Sequence, residues 1–381
     1  MNAWPDATQE LLLKAALLKS EESWKRWSSL IDLPTIDPAS FKLLPFLVKE
    51  GSFGQGEILS KSKGIYRKNW LENHLSWRRT LQILKMFQEE GIEKVVVLKG
   101  MAMILSVYQD FGIRVLGDID ILIRREDLNA ALKIFERLEW KHHIPRFSSS
   151  NLNHLRRWHS LNFISPEGLL LDLHWSFIQE NCEKLDAFIF EKTLKTEVPS
   201  VYTPCATDLL LQACVHGVKY SPVPLIRWVA DAFFLIQKKE IDWTRLTHLA
   251  QTACVSLPIY HALEYLKKTF LLPIPEKVLV DLESTKTLHL EQLEYQANLK
   301  GYPKVGDWHR FCLKNGHFSL VSRLFHLPHY CKDTARLRSF WLLPFFGVYW
   351  ILKRLFKKVL FYYSLTLNRS WMAIDHNTGE C

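Results

Sequence analysis

Apolar residues recur at helical intervals from about Ala7 to Gln88, give way to short β-branched runs, and return to helical spacing after Thr207. In the first region the spacing predicts helices at Glu10-Leu11-Leu12-Leu13-Lys14-Ala15-Ala16-Leu17, from Phe41 to Glu50, and from Tyr66 to Glu90. Gly51, Gly54 and Gly56 mark a loop within it, and Gly91 reads as the cap that closes the long helix.

The β-branched run Val95-Val96-Val97-Leu98 suits a buried strand, and Gly100 follows where the chain must turn into a helix from Met101 to Tyr108. From Asp118 to Arg124 the pattern alternates. Ile119, Ile121 and Ile123 point one way while Asp118, Asp120 and Leu122 point the other, so both carboxylates share a face. A helix from Glu126 to Trp140 follows, with Leu128, Ala131, Leu132, Phe135 and Leu138 as its buried stripe. A hairpin is predicted next: Leu161 to Ile164, a turn at Pro166-Glu167-Gly168, then Leu169 to Trp175 with Asp172 and His174 on one face. Between Thr207 and Phe270 several helices are expected, one carrying Leu209, Leu210, Leu211, Cys214 and Val215 and another Trp228, Ala232, Phe233 and Ile236. Pro258, Pro273 and Pro275 punctuate them.

Composition narrows the class. With 381 residues, 48% hydrophobic, 13% aromatic and 14 Trp, the chain can bury a core, which excludes a disordered protein and allows two or more domains. The seven cysteines, at positions 182, 205, 214, 254, 312, 331 and 381, lack paired C-x-x-C spacing and read as reduced thiols. The N-terminus shows no basic region followed by an apolar run, so a cytoplasmic location is expected.

The net charge of +9 is concentrated late in the chain: eight basic residues between Lys332 and Arg369 face Asp333 alone. The apolar run from Phe340 to Leu352 contains Pro344 and Gly347 and falls short of the ~20 residues of a spanning helix. Continued as a helix, it gathers Lys353, Arg354, Lys357 and Lys358 on one side and Leu352, Phe356, Val359, Leu360 and Tyr363 on another. Residues 339–370 therefore suit an anionic membrane surface, with peripheral attachment, or a protein partner.

The candidate chemistry lies in three aspartates and a glycine turn. Asp118 and Asp120 on one strand and Asp172 on another suggest a divalent metal and phosphoryl chemistry, against the plainer alternative of unrelated surface acids. Lys99-Gly100, between a strand and a helix N-terminus, suits an anion, against a solvated lysine beside a turn. His174 reads either as a satisfied histidine beside Trp175 or as a group that orients a carboxylate or touches substrate. The His154, Arg156, Arg157 and His159 group is a solvated helix face or an acceptor or nucleotide contact, while His216, Arg227 and Asp231 are expected to stitch helices together.

Leu98-Lys99-Gly100, then Arg114-Val115-Leu116-Gly117-Asp118-Ile119-Asp120-Ile121-Leu122, then Leu171-Asp172-Leu173-His174-Trp175 occur in that order. The chain thereby resembles the uncharacterised nucleotidyltransferase family of the DNA polymerase β-like superfamily, over about its first two thirds. One difference is Gly100-Met101, where many members of the wider superfamily carry Gly-Ser; the phosphate-binding hydroxyl is missing.

The resemblance implies an α/β (α+β) fold with a small mixed sheet. Residues 1–92 would be leading helices, 93–200 the catalytic core, 201–300 a helical domain and 301–381 a basic amphipathic tail. It implies that Asp118, Asp120 and Asp172 bind two Mg²⁺ ions, Mn²⁺ being the substitute, which hold a nucleoside triphosphate such as ATP. Asp118 and Asp120 would bridge the metals, and Asp172 would serve one metal or act as general base. Lys99 and the Gly100 turn would hold the β- and γ-phosphates, Arg114 would neutralise pyrophosphate, against the plainer alternative that it caps or pairs with Asp118 or Asp120, and His174 would lie in the nucleotide site. The acceptor implied is a peptide natural product, a glycan precursor, a protein or an RNA. The rival expectation is a non-catalytic nucleotide-binding or adaptor protein on the same fold, tethered by the basic tail.

Overall fold

Short strands of Val, Ile and Leu can be buried on both faces only if helices cover both, and the strands here are covered in that way. In a computed structural model, residues 4–49, 53, 56–142, 159–179, 183–218, 223–285, 287–301, 308–310 and 312 are described. The strands are β1 (Val95–Val97), β2 (Ile119–Leu122), β3 (Lys141–His142), β4 (Ser160–Ile164), β5 (Leu170–His174), β6 (Leu194–Lys195) and β7 (Val201–Thr203). They form one mixed sheet in the order β3-β4-β5-β2-β1-β7-β6. β1 runs antiparallel to β2 and parallel to β7, and β2 runs parallel to β5. The edge strand β6 is two residues long, which limits the open edge available there for pairing with another chain.

Alternation sorts the side chains onto two faces. Val95, Val97, Ile119, Ile121, Ile123, Leu171 and Leu173 pack with Trp77, Ile83, Leu84 and Phe87 of the helix Glu57–Glu89 and with Leu128, Leu132 and Phe135 of the helix Leu128–Arg137. Val96, Leu98 and Leu122 face the other way, into a core built by the helices Ala7–Leu18, Leu44–Lys49, Ala206–Gly217 and Arg227–Lys238, among others. Asp120, Asp172 and His174 project from this second face. They sit beneath the helical layer contributed by distant parts of the chain.

The long helix begins nine residues before the expected Tyr66. Gly64 weakens its helical signal by about 1 kcal/mol, but buried Leu59, Ser62 and Ile65 anchor the stretch. The expected cap at Gly91 is present: its φ is +85°, and the Ile92 N–H reaches back to the Phe87 carbonyl at 2.9 Å. The helix expected from Met101 to Tyr108 is Lys99–Met103 followed by a wider π-type turn, Ile104–Tyr108. Pro258 falls in the first turn of the helix Ser256–Phe270, where its missing N–H breaks no helical bond, and Pro275 immediately precedes the helix Glu276–Glu283.

The chain divides into two compact units, Met1–Arg310 and Phe311–Cys381. The leading helices, the sheet and the helices of the 201–300 segment all lie within the first. Among the described residues, no helix is long and apolar enough to cross a membrane. The amphipathic segment 339–370, the basic group at His154, Arg156 and Arg157, and most of the glycine-marked loop lie outside the described residues.

Candidate functional site

Parallel pairing of β2 with β5 sets Asp120 directly opposite Asp172 and Leu122 opposite His174. The backbone register alone therefore brings together two of the three aspartates. Between them stands the His174 imidazole, its Nε2 3.0 Å from Asp120 Oδ1 and 2.9 Å from Asp172 Oδ2. The Lys99 ammonium lies 2.6 Å from Asp120 Oδ1 and 4.0 Å from Asp172 Oδ2, and the Ser160 hydroxyl donates to Asp172 Oδ2 at 3.2 Å. His174 is only 1% exposed, so its contacts are with carboxylates rather than with the solvent side of the cleft.

The electrostatics follow from burial against these contacts. For Asp120, burial would raise the pKa, but the Lys99 charge and the His174 hydrogen bond prevail and hold it well below the ordinary carboxyl range. Asp172 is also lowered, burial being outweighed by its hydrogen bond to His174. His174 moves upward in turn: burial disfavours its charge, yet hydrogen bonds to Asp120 and Asp172 win. Lys99 is raised, because Asp120 overcomes the penalty of burial. Asp118 moves the other way from its two companions, pushed up first by burial and then by the charge of Asp120.

Asp120, Asp172 and His174 each offer a donor atom, all within 4.8 Å of one another, a grouping of the kind that holds a metal ion. Asp118 is not in that group; two residues before Asp120, it is half-buried and lines the adjoining cleft. Carboxylate oxygens suit a hard divalent cation, and Asp172 Oδ1 is buried with no hydrogen-bond partner. An orphaned buried carboxylate oxygen costs free energy that a bound cation would recover, so these residues fit a divalent metal.

The glycine turn is built differently from its sequence reading. The left-handed residue is Lys99, with φ of 44°, whereas Gly100 has no positive φ. Gly100 is needed for space: a Cβ there would collide with Arg114 Nη1 and Leu116 Cδ2. Gln212 accepts the Lys99 N–H at 3.1 Å and donates to the Phe177 carbonyl at 3.1 Å, which ties the strained residue to the helix Ala206–Gly217. Gln212 was not singled out in the sequence, because a lone glutamine in an apolar helix carries no motif.

Arg114 forms a two-pronged pair with Asp231, Nε to Oδ1 at 3.0 Å and Nη2 to Oδ2 at 2.7 Å, and the Tyr108 hydroxyl donates to Asp231 Oδ1 at 2.7 Å. Its strong partner is thus a helix residue, not Asp118 or Asp120. Asn73 of the long helix donates to the Phe111 and Arg114 carbonyls at 2.7 and 2.8 Å and fixes the loop that presents the arginine. Arg227 donates to the Val115 carbonyl at 2.6 Å, so Arg227 and Asp231 tie the helix Arg227–Lys238 to the segment before β2 rather than to other helices of its own domain.

Over these groups lies a cleft of about 400 Å³, in the range of small-ligand sites. Lys99, Gly100, Arg114, Asp118 and Asp120 line it together with Lys42, His216 and Arg227. Of the residues expected at the site, Asp172 and His174 lie behind this lining, in contact with Asp120. Lys42 was missed because it follows a four-residue helix, Pro38–Phe41, far from every motif.

No curated protein matches the chain. The profile of the uncharacterised nucleotidyltransferase family matches residues 47–271, a span that contains both strands of the acidic pair, the Lys99-Gly100 turn and the helices above them. Because that match covers more than half of the sequence and includes the whole carboxylate cluster, the chain belongs to the uncharacterised nucleotidyltransferase family.

Proposed function

We propose that this nucleotidyltransferase depends on a divalent metal, Mg²⁺ in the first instance, and moves a nucleotidyl group from a nucleoside triphosphate to a hydroxyl on an acceptor. The observation that carries this reading is the register of Asp120 against Asp172 at the base of the cleft. Asp118, Asp120 and Asp172 would hold the metal, two ions being the arrangement proposed. When bound, it would supply stabilisation of charge on the attacking and leaving oxygens.

The chain's own groups divide the remaining work. His174 and Lys99 orient the two buried carboxylates and keep them ionised. Asp172, held below its ordinary pKa, is a poor proton acceptor and suits a ligand role better than that of general base. Asp118, pushed up beside Asp120, is in the condition that a nearby cation relieves. Gly100 leaves room for Arg114 at the cleft wall, where its Nη1 is the guanidinium nitrogen without an Asp231 partner.

A second reading rests on Lys99. An ammonium 2.6 Å from Asp120 already neutralises part of the cluster, an arrangement open to a protein that binds nucleotide without turning it over. One assay separates the two: the full-length protein is incubated with each α-labelled nucleoside triphosphate, Mg²⁺ and a panel of peptide, glycan, protein and RNA acceptors. Label transfer with pyrophosphate release, lost with chelator and in Asp120→Asn, supports the enzyme. Saturable nucleotide binding with no transfer to any acceptor supports the second reading.

A further inference from the structure

We infer that Lys42 and Arg227, carried into the cleft from outside the strands that bear the aspartates, form the cationic seat for the terminal phosphates of a nucleoside triphosphate. The inference rests on the proposed nucleotidyl-transfer reading and adds to it the residues that hold the phosphate chain.

The charges lining the cleft do not cancel group by group. Lys99 is answered by Asp120, and Arg114 by both oxygens of Asp231. The Lys42 ammonium makes no hydrogen bond or ion pair among the described residues, and Arg227 donates to a neutral backbone carbonyl, that of Val115. Two cations thus share a concave surface without a carboxylate bonded to either.

Burial, then Lys42's neighbours Arg227 and Arg114, push the Lys42 pKa down, with Asp118 opposing. Arg227 is pushed down to about 10, by burial first and Arg114 second, with Asp231, Tyr108 and Asp118 opposing. Crowded, partly desolvated cations are costly unless an anion joins them, and a polyphosphate supplies several charges and acceptor oxygens at once. The aspartates and these cations line one cleft. A single metal–triphosphate would satisfy both sets.

The seat also compensates for a missing group. Met101 follows Gly100, so no hydroxyl at that turn is available to a phosphate, and the Lys99 ammonium is engaged by Asp120. Lys42 precedes the matched span 47–271, which makes it a contribution of the leading helices rather than of the matched region.

The test is calorimetric titration of the full-length protein with inorganic tripolyphosphate in metal-free buffer. Lys42→Gln is the primary variant, since no fold contact of its ammonium is lost, with Lys42→Arg as the charge-preserving control and Arg227→Lys as a second probe. Lys42→Gln should weaken tripolyphosphate binding about 10-fold, the effect of losing one charge-assisted hydrogen bond, and raise KM for the nucleotide similarly. Lys42→Arg should restore both. Unchanged tripolyphosphate affinity and KM in Lys42→Gln, in a protein that still transfers nucleotide, would overturn the seat and leave the enzymatic reading standing. Wild-type protein that neither binds tripolyphosphate nor uses any triphosphate would overturn both.

Discussion

Asp120 and Asp172 meet in register across neighbouring parallel strands, with the His174 imidazole touching an oxygen of each. Two buried carboxylates so close stay ionised only beside positive charge, and the proposed reaction uses them as a metal-holding pair. Asp120→Asn or Asp172→Asn should each lower nucleotidyl transfer on the order of 10³-fold, comparable with removing a principal stabiliser of transition-state charge. Pyrophosphate release under saturating Mg²⁺ measures this, with circular dichroism to show that the variant is folded. Wild-type rates in either variant would remove the pair from the chemistry.

His174 acts through its neighbours, being buried against both carboxylates. Replacing it with Ala should raise the half-saturating Mg²⁺ concentration about 10- to 100-fold, with a smaller change in kcat at saturating metal. A loss of kcat that excess Mg²⁺ does not restore would contradict the positioning role.

Gly100 and Gly117 both line the cleft but differ in what surrounds them. A methyl group at 100 would collide with Arg114 and Leu116, while one at 117 would meet nothing within 4 Å. Gly100→Ala should therefore cost ~1–3 kcal/mol of stability, the usual range for overpacking, and Gly117→Ala should cost much less. Denaturant midpoints of the two variants decide the point, and equal midpoints would refute the steric argument.

The pair Arg114–Asp231 predicts a particular acid response. Burial would raise the Asp231 pKa, but Arg114 wins and holds it below the unfolded value, so folding binds fewer protons there. Its stabilising contribution is complete above that unfolded value and is lost as the pH falls below about 4. Asp231→Asn leaves a buried guanidinium uncompensated and should cost ~3–5 kcal/mol near neutrality. The gap from wild type should then narrow as the pH is lowered from about 5 towards 2. Urea unfolding across that range tests it; a constant gap would contradict the linkage.

The sheet and its site were legible to different degrees. Alternation around Asp118 to Arg124 and Leu169 to Trp175 gave the face on which Asp120, Asp172 and His174 lie, because strand periodicity is local. What periodicity cannot give is partnership. Asp231 as the counter-ion of Arg114, Gln212 behind Lys99, and Lys42 at the cleft wall are all tertiary contacts across long stretches of chain. The role of Gly100 was misread for the same reason: a turn glycine suggests backbone freedom, whereas here an arginine from the next segment needs the empty space. Asp118 reads as the equal of Asp120 in the sequence, yet the structure groups Asp120 with Asp172 and His174 instead.

The ammonium of Lys99 and the imidazole of His174 have a consequence for how the chain assembles. Joining β2 to β5 sets two like charges opposite one another across roughly fifty residues of intervening chain, a penalty met at the moment the strands zip together. Because the counter-charges belong to the polypeptide, that closure does not wait for an ion from solution. On the proposed metal reading, folding would come before metal loading, unlike in small domains that remain unfolded until their ion arrives.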